Sequence, residues 1–219
     1  MLHNVDNQDC YMQHLMDMSQ RFEISISDDV RNQQGAVLVP KGGKFDFNLA
    51  EKIAHHQLMQ PLENYVYVHN PLNALQLAAF YKIIFKKHKS FAMFHQRWQL
   101  SELLLSGCQY LEEFPIVQQK MTVLKVQMPH LFKQSLFCGY VSMAIAKQMG
   151  ASLMDCKIVF LAGLIHDIGI LHLDAELLEQ KGEYTPEQWR AMHSHTVIAH
   201  KILNRIEELP WKVSMAVLE

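Results

Sequence analysis

The feature that most constrains this chain is an apolar segment that ends in two ionisable residues. Met154 to His166 reads as one helix that is apolar on nearly every face, which is typical of a helix at the centre of a bundle. Asp167 follows directly, so the imidazole and the carboxylate should emerge together at a buried or half-buried edge. Because a buried carboxylate without a partner is costly, Asp167 needs a cation, a histidine or a backbone cap beside it.

A His-Asp pair at a helix end suits two different roles. Adjacent helical residues point about 100° apart, but both side chains can reach one ion placed just past the helix end. An imidazole and a carboxylate together favour Mn, Fe, Zn or Ni over calcium. The alternative is structural: His166 caps the helix and Asp167 pairs with a lysine.

The rest of the pattern predicts a mainly α fold, with a helical bundle preceded by a small α+β N-terminal module. Alternating polar and apolar residues indicate short strands over 21–27, 36–39 and 65–68. Beyond Pro71 the period becomes that of helices, which we expect over 75–85, 91–111, 114–128, 130–149, 154–166 and 185–206. The predicted domains are a module over 1–70, connecting helices over 71–128 and a helical domain over 129–219.

Charge and cysteine usage exclude several classes of protein. The formal net charge is −2 and the pI is about 6.7, so there is no global basic field to recruit a nucleic acid polymer. The four cysteines are scattered, which argues against a disulfide framework. The longest apolar run, 158–165, is far shorter than the ~20 residues that span a bilayer. We expect a cytoplasmic protein without a membrane span.

Three segments, the first of which contains His166 and Asp167, resemble the motifs of a known family. They are Leu164-Ile165-His166-Asp167-Ile168-Gly169, the stretch from Leu177 to Trp189 with Lys181-Gly182 and Thr185-Pro186, and Met192-His193-Ser194-His195. In this order and spacing, the chain from about residue 130 onward resembles the HD superfamily and, within it, the HD-GYP branch. The segment 21–69 also resembles the small module that often precedes HD-GYP domains.

The resemblance implies a fold, a metal centre and a reaction. HD-GYP domains are helical bundles that bind divalent transition metals, usually iron or manganese, and hydrolyse cyclic di-GMP with a metal-activated water. Matched position by position, His166 and Asp167 correspond to the metal-binding pair, and Asp167 is also the predicted catalytic residue. His195 corresponds to a metal ligand on a later helix, and Lys181 is a candidate substrate-binding residue.

Departures from the family pattern predict a degenerate site. Gln134 stands where the family has its first histidine, and an amide is a poor ligand for a transition metal. His130 lies one turn earlier on the same helix face and is the candidate replacement ligand. Ile170 stands where the family has a phosphate-binding lysine. The later His-His pair and the G-Y-P loop are absent from these 219 residues, so we expect a C-terminally truncated copy.

Three functions follow from these observations. The first is an HD-GYP-type phosphohydrolase of cyclic di-GMP signalling, weak or inactive in this chain and with its metal expected to be absent or incomplete. The second is a non-catalytic HD or HDOD-like scaffold that binds protein partners. The third is another HD phosphohydrolase that acts on a nucleotide. The expected partners are a cyclic dinucleotide or a signalling protein, with a homodimer left open.

Overall fold

The computed structural model describes residues 8–219, apart from the side chains at positions 8, 9, 47, 50, 51, 54, 175 and 179. Helices dominate, and the few short strands fall in the N-terminal part. The predicted class, a mainly α protein with a small α+β module in front, is therefore confirmed. The chain divides into two compact units: residues up to 71 together with 170–195, and residues 72–169 together with 196–219. The predicted division into 1–70, 71–128 and 129–219 stays a prediction.

The first unit combines two small antiparallel sheets with short helices. Its elements are α1 (Gln8–Ser19), β1 (Ile24–Ile26), β2 (Val30–Arg31), β3 (Val37–Val39), α2 (Phe47–Ala54), a 3-10 turn (Leu62–Asn64), β4 (Val66–Val68) and α9 (Ala175–Glu179). Strand β1 pairs with β4, so that Ile24 faces Val68 across the sheet. Strand β2 pairs with β3 through a turn at 32–35.

The second unit is helical. Its elements are α3 (Ala74–Lys87), α4 (Lys89–Arg97), α5 (Ser101–Tyr110), a 3-10 turn (Leu111–Glu113), α6 (Pro115–Gln127), α7 (Pro129–Gln148), α8 (Leu153–Ile165) and α11 (Trp211–Leu218). Another 3-10 turn (Ile168–His172) and α10 (Pro186–Leu203) each have residues in both units. Across the described part of the chain, no helix is both long and apolar enough to cross a membrane.

Two glycines let α7 and α8 cross in backbone contact. A Cβ placed on Gly139 would lie 2.9 Å from the carbonyl oxygen of Phe160 and 3.2 Å from the amide nitrogen of Leu164. A Cβ on Gly163 would lie 3.0 Å from the carbonyl oxygen of Cys138. Only glycine fits at either position, because the neighbouring atoms are backbone and cannot swing away. This crossing fixes the depth at which α8 is buried.

The predicted helix over 91–111 is wrong, because the structure breaks it into α4 and α5. The break lies at Gln99, whose φ is +50°. A left-handed residue cannot continue a right-handed helix, so α4 ends at Arg97 and α5 begins at Ser101. The predicted helix over 130–149 is confirmed: α7 begins at Pro129, and Gly150 follows it with φ +79°.

Candidate functional site

Helix α8 carries the central pair to the edge of the second unit. Ser152 caps the start of α8 by accepting a hydrogen bond from the amide of Asp155 at 3.0 Å. The core of the helix is buried through Phe160, Leu161 and Leu164, which holds its end in place. His166 is the C-terminal cap residue. Its position at the negative end of the helix dipole favours a cation there, either an imidazolium or a metal ion.

His166 makes a defined contact with each of its ring nitrogens. Its Nδ1 lies 3.0 Å from the carbonyl oxygen of Gly163. Because a carbonyl only accepts, Nδ1 carries the proton and Nε2 faces the neighbouring carboxylate. The distance from Nε2 to Asp167 Oδ2 is 3.1 Å, with 35% of the His166 side chain and 15% of the Asp167 side chain exposed. The pair can therefore act as an imidazolium–carboxylate ion pair, or as two donors on one edge of a metal site.

Cys138 is a neighbour of this pair that the sequence did not single out. Burial raises the pKa of the Cys138 thiol, and the negative charge of Asp167 raises it further. The signal was in the spacing, since Cys138 follows Gln134 by one helical turn on α7 and lies on the same face. Both side chains are exposed. A neutral thiol and an amide are weak metal donors, so this face of α7 adds little to a metal site.

His195 shows the same backbone arrangement as His166 but belongs to the first unit. Its Nδ1 lies 2.6 Å from the carbonyl oxygen of Met192, and its side chain is half-buried. A histidine whose Nδ1–H bonds to a backbone carbonyl has its lone pair on Nε2, which is how metal-binding histidines are commonly oriented. The neighbouring His193 is exposed, and its ring contacts that of Trp189 at 5.2 Å between centroids.

The two remaining predicted site residues, His130 and Lys181, lie at the surface of their own units. His130 is exposed near the start of α7, and Lys181 is exposed in the segment that precedes α10. Ile170, in the position of the family's lysine, is buried at 6% exposure. Asp174 caps α9 by accepting from the amide of Glu176 at 3.0 Å. Thr185 and Gln188 form a capping box at the start of α10.

The donor set present in the structure is small. Over residues 8–219, as far as they are described, no group of three or more His, Cys, Asp and Glu side chains is arranged to hold a metal ion. A transition-metal site in a protein normally has at least three such ligands. His166 and Asp167 supply two. The described residues therefore do not fit a complete metal centre, and the roles of His130, His195 and Lys181 stay predictions.

Two comparisons with known proteins bear on the helical part. Residues 113–208 match the model of the HDOD domain. A curated "Cyclic di-GMP phosphodiesterase" from Thermotoga maritima is 36% identical over 67 residues, which is 31% of this chain and 18% of that protein. The chain thus spans less than a fifth of the length of that curated relative. No solved structure matched the chain significantly. Together these findings support an HD-like signalling family.

Proposed function

We propose that this chain is an HD-like signalling domain of the HDOD type that binds protein partners and does not itself hydrolyse a phosphodiester. The observation that carries the proposal is the HDOD match over residues 113–208. That stretch includes α6, α7, α8 and α10, and it contains the candidate ligands His130, His166, Asp167 and His195. HDOD domains resemble HD domains in their helices and act through binding.

The contacts of His166 and Asp167 support this proposal. The two side chains face each other at 3.1 Å, at the negative end of α8 and against the close α7–α8 crossing. As an ion pair they stabilise the end of a buried helix without any bound group. Gln134 and Ile170 point the same way, because an amide and an aliphatic side chain replace a ligand and a phosphate-binding cation.

The activity test uses the whole chain loaded with Mn²⁺ or with Fe²⁺ under anaerobic conditions. We expect no cleavage of cyclic di-GMP above that of the His166→Ala variant, with products separated by chromatography. His193→Ala is the matched control, because it changes an exposed histidine near the predicted ligand His195. Metal-dependent cleavage that His166→Ala abolishes and His193→Ala leaves intact would overturn the proposal.

Co-purification tests whether His166 and Asp167 take part in the binding of protein partners. Proteins that co-purify with the tagged chain should be recovered in equal amounts with the double variant His166→Ala, Asp167→Asn. Quantitative mass spectrometry of both preparations gives the comparison. A partner lost with the double variant would show that the pair takes part in binding, which contradicts a purely structural role.

A second candidate function is a metal-dependent phosphodiesterase of the HD-GYP type. Its support is the similarity to the Thermotoga maritima protein and the orientation of His166 and His195, both of which donate Nδ1–H to a backbone carbonyl. This candidate predicts bound iron or manganese in the purified chain. Elemental analysis that finds about one metal ion per chain, lost in Asp167→Ala, would favour it over the scaffold.

A further inference from the structure

Helix α4 lies at the surface of its unit. None of the residues that it contains, Lys89 to Arg97, is buried. Helices on protein surfaces normally bury one stripe of side chains. Helix α4 has no buried residue, so most of its surface is open to solvent or to a partner.

The inner sides of α3 and α4 rest on the same helix. The ring of Phe85 on α3 lies 5.2 Å from that of Tyr140, and the ring of Phe91 on α4 lies 5.2 Å from that of Phe137. Tyr140 and Phe137 both belong to α7. The sides of α3 and α4 opposite to these rings therefore both point away from α7 and into solvent.

The outward side carries cations with apolar residues between them. We define the α3–α4 outer face as the exposed residues Leu75, Lys82, Ile83, Lys86, Lys89, Met93 and Arg97. On α4 the order is a cation, an apolar residue and a cation at spacings of four, which places them in one row. The apolar members are strongly exposed, at 77% for Leu75, 50% for Ile83 and 69% for Met93.

The charge of this face has no acidic counterpart nearby in the chain. No Asp or Glu occurs between Glu63 and Glu102, whereas Lys87 adds a further exposed cation. The supporting helix α7 contains no acidic residue either. Glu112 reaches the start of α3, where it accepts a hydrogen bond from the amide of Ala74 at 2.7 Å. The positive part of the face is therefore the stretch from Lys82 to Arg97, on a protein whose net charge is −2.

We propose that the α3–α4 outer face binds the surface of a membrane that contains anionic lipids. Lysines attract anionic headgroups, and apolar tips between them can enter the boundary of the acyl chains. A protein partner fits less well, because interfaces between proteins are depleted in lysine. A nucleic acid would use the cations but gives no role to Leu75, Ile83 and Met93, since phosphate contacts are polar.

The test is flotation of the purified chain with vesicles of phosphatidylcholine alone, or with 30% phosphatidylglycerol added. We expect binding only to the anionic vesicles, and weaker binding as salt increases. One lysine at an anionic membrane is worth about a fivefold gain in partitioning. The triple variant Lys82→Gln, Lys86→Gln, Lys89→Gln should therefore bind on the order of a hundredfold more weakly.

A matched triple variant controls for net charge. Lys41→Gln, Lys52→Gln, Lys147→Gln removes the same charge from exposed lysines elsewhere, and it should lose far less binding. Met93→Ser should weaken the binding that remains at high salt. Circular dichroism confirms that each variant is folded. Failure of the wild type to float with anionic vesicles, equal loss in both triple variants, or binding to an RNA oligonucleotide without binding to vesicles would each overturn the proposal.

Discussion

At the scale of single residues, the contact between His166 and Asp167 is the main polar feature at the end of α8. An ion pair between side chains that are partly exposed is worth little, usually under ~1 kcal/mol. This pair has the added benefit of a helix end, where a positive imidazolium is favoured. The contact therefore contributes modestly to the free energy of unfolding, and a substitution of either residue should change that free energy only slightly.

A substitution can measure that contribution. Asp167→Ala should lower the free energy of unfolding by about 1 kcal/mol, because it removes the carboxylate that faces His166 Nε2. Urea unfolding followed by circular dichroism gives the value. Lys181→Ala, at an exposed position, should change it by less than ~0.5 kcal/mol. A loss of several kcal/mol with Asp167→Ala would indicate a larger network around the carboxylate.

The contact between His166 and Asp167 was predictable from the sequence, because the two residues are adjacent at the end of one helix. His195 was assigned from the family resemblance, and its role as a ligand stays a prediction. The proximity of Cys138 to Asp167 depends on how deeply α7 and α8 cross. That depth is set by Gly139 and Gly163 together, which lie 24 positions apart. No periodic pattern in either helix encodes it.

At the scale of elements, the α7–α8 crossing should tolerate almost no added volume. Gly139→Ala and Gly163→Ala each place a methyl group about 3 Å from backbone atoms. Each should destabilise the chain by about 2–3 kcal/mol, since the helices must separate to accommodate the methyl group. Ile145→Ala on the exposed side of α7 (54% exposed) is the control, with an expected change near zero. Thermal unfolding compares the three variants with wild type.

Helix α4 should be sensitive to acid through His95. Burial lowers the pKa of His95, whose ring lies 4.4 Å from that of Phe85. Burial also raises the pKa of the adjacent Tyr140 to about 12, so Tyr140 stays neutral. A histidine in the unfolded chain titrates near ~6.5. Below that pH the unfolded state binds the proton more readily than the folded state, so stability falls as the pH decreases from about 7 to 5.

The pH dependence has a direct check. The free energy of unfolding, measured in urea at several pH values, should fall more gently for His95→Gln than for wild type. Part of the slope should remain, because burial also lowers the pKa of His14 while the charge of Asp17 opposes that shift. Identical slopes for His95→Gln and wild type would show that His95 does not contribute.

The ends of the helices show which structural signals are visible in the sequence. The predicted helix over 185–206 begins within one residue of the observed start of α10. Capping by Thr185 and Gln188 is a local signal, because it uses neighbouring side chains and the backbone beside them. The break between α4 and α5 was missed. Gln99 adopts a left-handed conformation that glycine or asparagine normally signals, and nothing in its side chain announces it.

At the scale of the whole molecule, the four cysteines should differ in how readily they react. Cys138 is exposed, whereas Cys108 and Cys156 are buried. Burial raises the pKa of Cys108 to about 12. At pH 8 its thiolate fraction should be about a thousandfold lower than that of an ordinary thiol.

Alkylation of the native chain tests this order. Iodoacetamide at pH 8, followed by mass spectrometry of peptides at timed intervals, should modify Cys138 first and Cys108 last. Cys10, which is half-buried, should react between them. Early modification of Cys108 would mean that the second unit opens readily at α5.

The grouping of 170–195 with the first 71 residues also belongs to this scale. It depends on packing between segments that are far apart in sequence, as when the ring of His172 stacks on Tyr11 at 5.0 Å. Hydrophobic periodicity indicates which side of an element is buried but not which distant element covers it.

Gly163 combines two tasks in one residue. Its missing side chain permits the close contact with α7, where an added Cβ would lie 3.0 Å from the Cα of Gly139, and its carbonyl oxygen accepts the hydrogen bond from His166 Nδ1 at 3.0 Å. A substitution of Gly163 therefore mixes an effect on helix packing with an effect on the orientation of the imidazole. Gly139→Ala disturbs the same crossing from the side of α7 and leaves the carbonyl acceptor of His166 in place, so a comparison of the two variants separates the two effects.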